Sequence, residues 1–196
     1  GTTNLPRGGS VQLPLFKPAT VAVQKRLTFR SDMQYARGPA PEAPPPQPAE
    51  ITVEFKNDRK AGLGQPLPAG IVRAYTADPR GALTFIGEDR IVHTPTDETV
   101  RLNVGRAFDV VAERTQTSFT STGRTSWDVE WRIAVRNHKP TPADVTVLES
   151  FPGDWEIVSS TPKFTKEDAR TARFDLTVPK EGESVVTYKA RVRLQG

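Results

Sequence analysis

Apolar and polar side chains alternate with a period of two along most of this chain. Trp127, Val129, Trp131, Ile133 and Val135 fall on one phase, with Asp128, Glu130, Arg132 and Arg136 on the other. Val186, Tyr188, Ala190, Val192 and Leu194 repeat the pattern against Thr187, Lys189, Arg191 and Arg193. Ala172, Phe174, Leu176 and Val178 do the same against Arg173, Asp175 and Thr177. Each stretch predicts a half-buried antiparallel strand with one wet face. Weaker versions predict strands at about 20–30, 51–57, 70–76, 83–92, 98–104, 106–119, 144–150 and 155–160. Turn-forming runs separate them, among them Asp78-Pro79-Arg80-Gly81, Thr94-Pro95-Thr96-Asp97 and Pro152-Gly153. Only Thr165-Lys166-Glu167-Asp168-Ala169-Arg170 reads as helical, a single turn capped by Thr165.

Short strands at this spacing predict an all-β chain of two antiparallel β-sandwich domains. At 196 residues the chain has room for two such units. The division is expected near residue 104, giving an N-terminal sandwich over 1–103 and an immunoglobulin-like sandwich over 104–196. Large aromatics dominate sandwich cores, so Phe108, Trp127, Trp131, Trp155, Phe174 and Tyr188 are the expected core anchors. Residues 38–48 stand apart, with six prolines in eleven positions. Pro41 with Pro44 and Pro45 with Pro48 each satisfy PxxP, the pattern of a docking peptide, but a stiff solvated connector between strands is the simpler reading.

Composition narrows the chemistry. There is no cysteine, so no disulfide, thiol nucleophile or thiolate metal site is available. The net charge is +4, yet the charge is mixed: residues 1–103 carry 13 Lys+Arg against 10 Asp+Glu, and residues 104–196 carry 14 against 13. Without a basic run or stripe, no nucleic-acid partner is expected. No apolar run approaches the roughly 18 residues of a membrane helix. The start, Gly1-Thr2-Thr3-Asn4, lacks an initiator Met and a signal segment, and Met33 is the sole methionine; a processed part of a longer protein is expected.

Motifs that carry chemistry are missing or incomplete, so no catalytic residue, cofactor or metal ligand is assigned. His93 and His138, the two histidines, have no metal-binding spacing and read as turn residues. Ser160-Thr161-Pro162-Lys163 matches SxxK, but Pro162 denies it the helix that motif needs. Gly62-Leu63-Gly64 is no phosphate cradle, because Pro66 and Pro68 follow. Glu88-Asp89 and Asp97-Glu98 would point to opposite faces of a strand and so not converge. Phe151-Pro152-Gly153-Asp154-Trp155 is either a ligand-stacking loop or a tight turn whose Trp155 closes the end of a sandwich, and Ile157 in phase with Trp155 favours the turn.

Several stretches together resemble a bacterial family of unknown function, the C-terminal β-rich domain of mucoidy-inhibitor-A-like proteins and their exported relatives. They are Gln65-Pro66-Leu67-Pro68-Ala69-Gly70 with Val72-Arg73-Ala74-Tyr75, then Phe85-Ile86-Gly87-Glu88-Asp89-Arg90-Ile91 and Val104-Gly105-Arg106-Ala107-Phe108-Asp109-Val110-Val111-Ala112-Glu113-Arg114. Val135-Arg136-Asn137-His138-Lys139 and Glu149-Ser150-Phe151-Pro152-Gly153-Asp154-Trp155-Glu156-Ile157 continue the resemblance. It implies a longer precursor with an upstream β-rich region and export to the periplasm or cell surface. It brings no catalytic residues. The expectation is a non-enzymatic cell-envelope module that scaffolds or binds protein partners. The alternatives are a carbohydrate- or ligand-binding module, or an accessory domain of an enzyme whose active site lies upstream.

Overall fold

The structure is a computed structural model that describes residues 18–32, 38–40, 43–78, 80–194. Residues 1–4, Met33 and Pro41, which figure in the sequence reading, lie outside them. The described chain is all-β: β1 (Gln24–Asp32), β2 (Gln47–Lys56), β3 (Gly70–Ala77), β4 (Leu83–Ile91), β5 (Thr99–Gly123), β6 (Ser126–Asn137), β7 (Ala143–Ser150), β8 (Asp154–Thr161), β9 (Thr165–Lys166), β10 (Thr171–Val178) and β11 (Gly182–Arg193). Nine strands form one sheet in the order β8-β11-β6-β5-β2-β1-β7-β10-β9, and β3 pairs with β4 in a separate hairpin. The sheet is mixed, because β1 runs parallel to β7 while the other pairs are antiparallel.

The expected division at residue 104 falls inside β5 and does not separate two sheets. β5 runs on for 25 residues, pairing first with β2 and then with β6. The strands expected at 98–104 and 106–119 are therefore one, kinked at Gly105, whose φ of +135° suits glycine. β1 and β2, from the N-terminal part, hydrogen-bond into the same sheet as β7 and β5.

The sheet folds over so that its two flanks face each other. Trp127, Val129, Trp131, Ile133 and Val135 of β6 and Val186, Tyr188, Ala190 and Val192 of β11 pack in one cluster with Leu27, Phe29, Val145, Val147 and Phe174. Phe174 stacks on Tyr188 at 5.6 Å between centroids. The alternation in β6, β10 and β11 thus reflects a core on one side and water on the other. Along β2 the inward positions run on past this core: Ile51 serves both clusters, and Val53 and Phe55 join Val100, Leu102 and Val104 in a second one. The hairpin covers that extension through Val72, Ala74 and Ile91. Close approach is built in at Gly87, where a Cβ would lie 1.9 Å from the Val104 carbonyl oxygen.

Four expected anchors, Trp127, Trp131, Phe174 and Tyr188, are buried. Phe108 is not; it is 87% exposed. β5 pairs Ala107 with Ala49 and Val111 with Pro48, so residues 108–110 have no partner on β2 and the phase shifts there: Ala107 and Val110 point into the core while Phe108 points out. Trp155 is partly buried at the edge of the core. The expected helical turn at 165–170 is absent as well: Thr165 and Lys166 form β9 on β10, and Asp168 instead holds a turn by accepting the Arg170 N–H at 2.7 Å.

Two buried asparagines fasten the turns. Asn137 donates from Nδ2 to the carbonyls of Thr141 (2.9 Å) and Pro179 (3.0 Å), joining the β6–β7 and β10–β11 connections. Asn57 donates to Gln65 and Pro95 carbonyls, both at 2.9 Å, and accepts from the Gly64 N–H.

Candidate functional site

Two features go beyond what a sandwich core requires: a buried charge cluster, and an uncovered apolar face on the hairpin. In β7, Ala143, Val145, Val147 and Glu149 share the inward phase, and in β5 Val110, Ala112 and Arg114 do. Glu149 is fully buried. Arg114 reaches it from the opposite flank, donating from Nε and Nη2 to Oε2 at 3.1 and 2.8 Å. The Tyr188 hydroxyl donates to the same oxygen. The Arg114 guanidinium lies 3.3 Å from the centroid of the Trp131 ring, whose negative face favours a cation there.

The electrostatics are self-contained. Burial works to lower the Arg114 pKa, but the charges and hydrogen bonds of Glu149 and Tyr188 outweigh it and leave the guanidinium above its ordinary value. Burial, with the Glu149 charge behind it, pushes the Tyr188 hydroxyl well above the ordinary tyrosine range. A nucleophile or general base works near neutral pH; a tyrosine driven upward and a carboxylate already held by a guanidinium do not supply one. Chemically, the cluster acts as a polar cross-link between the two flanks.

Beside it lies a cleft of about 210 Å³ between β1 and β5, lined by Phe29, Ile133, Arg114 and Arg30, with Pro44 and Pro45 at one wall. β2 starts only at Gln47, so β1 and β5 have no strand between them beyond that point. Of the connector expected over 38–48, residues 43–46 are exposed, but Gln47 and Pro48 already pair in β2, and the Ala40 N–H donates to Gln116 Oε1 at 2.6 Å.

The hairpin carries the second feature. Its inner face covers the second core, while on its outer face Tyr75 pairs with Phe85 and Ala77 with Leu83. The Tyr75 and Phe85 rings meet edge to face at 5.6 Å. Both are 51% exposed and Leu83 is 70% exposed, with Ile71 and Ile86 uncovered as well. Arg73 and Glu88 pair across the same face at 3.1 Å. Contiguous exposed apolar side chains of this size mark contact surfaces.

The other candidates stay apart. His93 is exposed, and its Nδ1 accepts the Ala69 N–H; His138 is exposed at the end of β6. Among the described residues, no group of three or more His, Asp or Glu is placed to hold a metal ion. Glu88 faces Arg73 outside, whereas Asp89 turns in and accepts the Asn103 N–H at 2.7 Å. Ser160 sits in strand β8 and no helix follows it. Trp155 stacks on Phe151 at 4.6 Å, donates to the Ala169 carbonyl and lies beneath the Lys166 ammonium, so its ring closes the sheet end and offers no open platform.

No protein-family model matches the chain, and no curated protein matches it either. Among solved structures, the folded domain of the Mycobacterium tuberculosis LppM protein, determined by NMR, aligns over 95% of this chain and 97% of that one. The identity is 12% and the TM-score 0.28, a likeness that carries no conclusion about function.

Neither the charge cluster nor the apolar hairpin face is among the features expected from the sequence. Arg114 and Glu149 were legible in principle, being opposite charges that each fall on the apolar phase of a strand. The hairpin face was not, because alternation gives the phase of a strand without saying which of its faces is covered.

Proposed function

We propose that this chain works by contact, as a non-enzymatic module of the bacterial cell envelope and the C-terminal part of a longer exported protein. The observation that carries this is the uncovered outer face of β3–β4, with Tyr75, Leu83 and Phe85 held on a hairpin whose inner face packs on the second core. The internal satisfaction of Arg114, Glu149 and Tyr188 supports it, since the most unusual polar groups are committed to holding the fold. The two facing flanks of residues 104–196 support a sandwich-type reading of that part, with immunoglobulin-like packing its finer form. Purifying the full-length protein from its native envelope under mild detergent tests the idea. Recovery with envelope components, protein or lipid, is expected; a protein that runs alone and turns over a peptide, glycan or phosphoester, with activity lost on one point substitution, would sink it.

The cleft between β1 and β5, with the exposed Arg30 in its lining, favours a second reading, a module for a small ligand with an apolar body and an anionic end. Titration calorimetry with benzoate against benzamide tests it: a preference for the carboxylate that Arg30→Met abolishes is expected, and equal or absent binding refutes it.

A further inference from the structure

We infer that the outer face of the β3–β4 hairpin docks on a lipid surface bearing anionic headgroups; the inference rests on the contact reading above and names the partner. Three observations lead there. First, the face is too small for a stable protein partner or a second copy of this chain. Eight-residue strands span about 26 Å and two strands about 10 Å, an area on the order of 300 Å². A standard protein interface needs roughly 800 Å² on each side. A lipid surface sets no such threshold, because each apolar side chain partitions separately.

Second, the hairpin tip has its backbone donors satisfied from within, as a low-dielectric boundary demands. The Arg80 and Ala82 N–H groups both donate to Asp78 Oδ1, at 2.8 and 2.9 Å. The Gly81 N–H donates to the Asp78 carbonyl and the Asp78 N–H to the Ala82 carbonyl, each at 2.9 Å. Residue 79, a proline, has no N–H.

Third, the side chains suit an interface. Leu83 and Phe85 provide the apolar surface, and Tyr75 pairs an aromatic body with a hydroxyl, the combination found at headgroup level. On the outer face Arg73 and Arg90 outnumber Glu88, and at the turn the exposed Arg80, loosely paired with Asp78 at 3.7 Å, adds a third guanidinium that phosphates can compete for. The hairpin then lies flat at the boundary with its inner face still packed on Val100, Leu102 and Val104.

The full chain tests this by flotation with phosphatidylcholine vesicles containing about 30% phosphatidylglycerol, against vesicles of phosphatidylcholine alone; selective, salt-weakened binding to the anionic vesicles is expected. Tyr75→Ser with Phe85→Ser should lower that partitioning at least about tenfold. Its thermal midpoint should stay near that of the parent chain, since both rings are half exposed. Because the chain has no cysteine, Leu83→Cys accepts a single environment-sensitive dye, which should shift to the blue on anionic vesicles, while the same dye at Val158→Cys on β8 should not. Absent flotation, or flotation unchanged by the double substitution, overturns the lipid assignment. A photo-crosslinker at position 83 in native envelope extract separates the two failures. Capture of a single protein removes the lipid partner and leaves the contact reading standing; capture of neither protein nor lipid removes both.

Discussion

Arg114→Met is the most informative single perturbation of the fold. It deletes the guanidinium that spans the two flanks and leaves the Glu149 carboxylate, which has no exposed surface, with the Tyr188 hydroxyl. The attraction removed is about 4 kcal/mol for unit charges about 4 Å apart at an effective dielectric near 20. Desolvation of both ions offsets most of that in the parent protein. The variant still bears the full cost on Glu149, so breaking one side should destabilise by about 3–5 kcal/mol. The cation over Trp131 is lost at the same time, at up to about 2 kcal/mol where it is desolvated. Pairing Arg114→Met with Glu149→Leu should cost less than Arg114→Met alone, because no uncompensated charge then remains in the core. Urea unfolding followed by tryptophan emission measures both, and Trp131 reports on the site directly. A cost below about 1 kcal/mol for Arg114→Met, or a double variant costing the sum of the singles, would refute the reasoning.

Three further outcomes follow from the packing. Gly87→Ala drives a methyl to 1.9 Å from the Val104 carbonyl oxygen. It should cost about 1–3 kcal/mol and loosen the hairpin, seen as faster amide exchange across β3 and β4. Asn137→Ala leaves the Thr141 and Pro179 carbonyls without their donor and should cost about 1–3 kcal/mol in urea unfolding, against a few tenths for a surface substitution such as His138→Ala. Tyr188, with a folded-state pKa raised above its unfolded value, adds stability that is fully present below about pH 10 and is lost as pH climbs through the folded value. Ultraviolet titration should therefore show one of the three tyrosines resisting ionisation until the chain unfolds; normal titration of all three would place Tyr188 in contact with water.

Alternation alone located nearly every strand, because a residue's side of a sheet is fixed by counting along one strand. It identified Trp127, Trp131, Phe174 and Tyr188 as core, and it carried enough to mark Arg114 and Glu149 as charges on the apolar phase. It failed at Phe108, where a bulge resets the count, and at residues 165–170, where pairing with β10 outweighs a one-turn helix propensity. Pairing between distant strands was decided elsewhere. That β1 lies beside β7 and in parallel with it, that β5 crosses from β2 to β6 without a break, and that one sheet joins both halves all depend on contacts across the chain. The same holds for the two features with functional meaning. Glu149 finds Arg114 only because the flanks fold together, and the Tyr75–Phe85 face stays bare only because the hairpin has already spent its other side on the second core. Local periodicity sets which way a side chain points, whereas what it meets is a property of the folded whole.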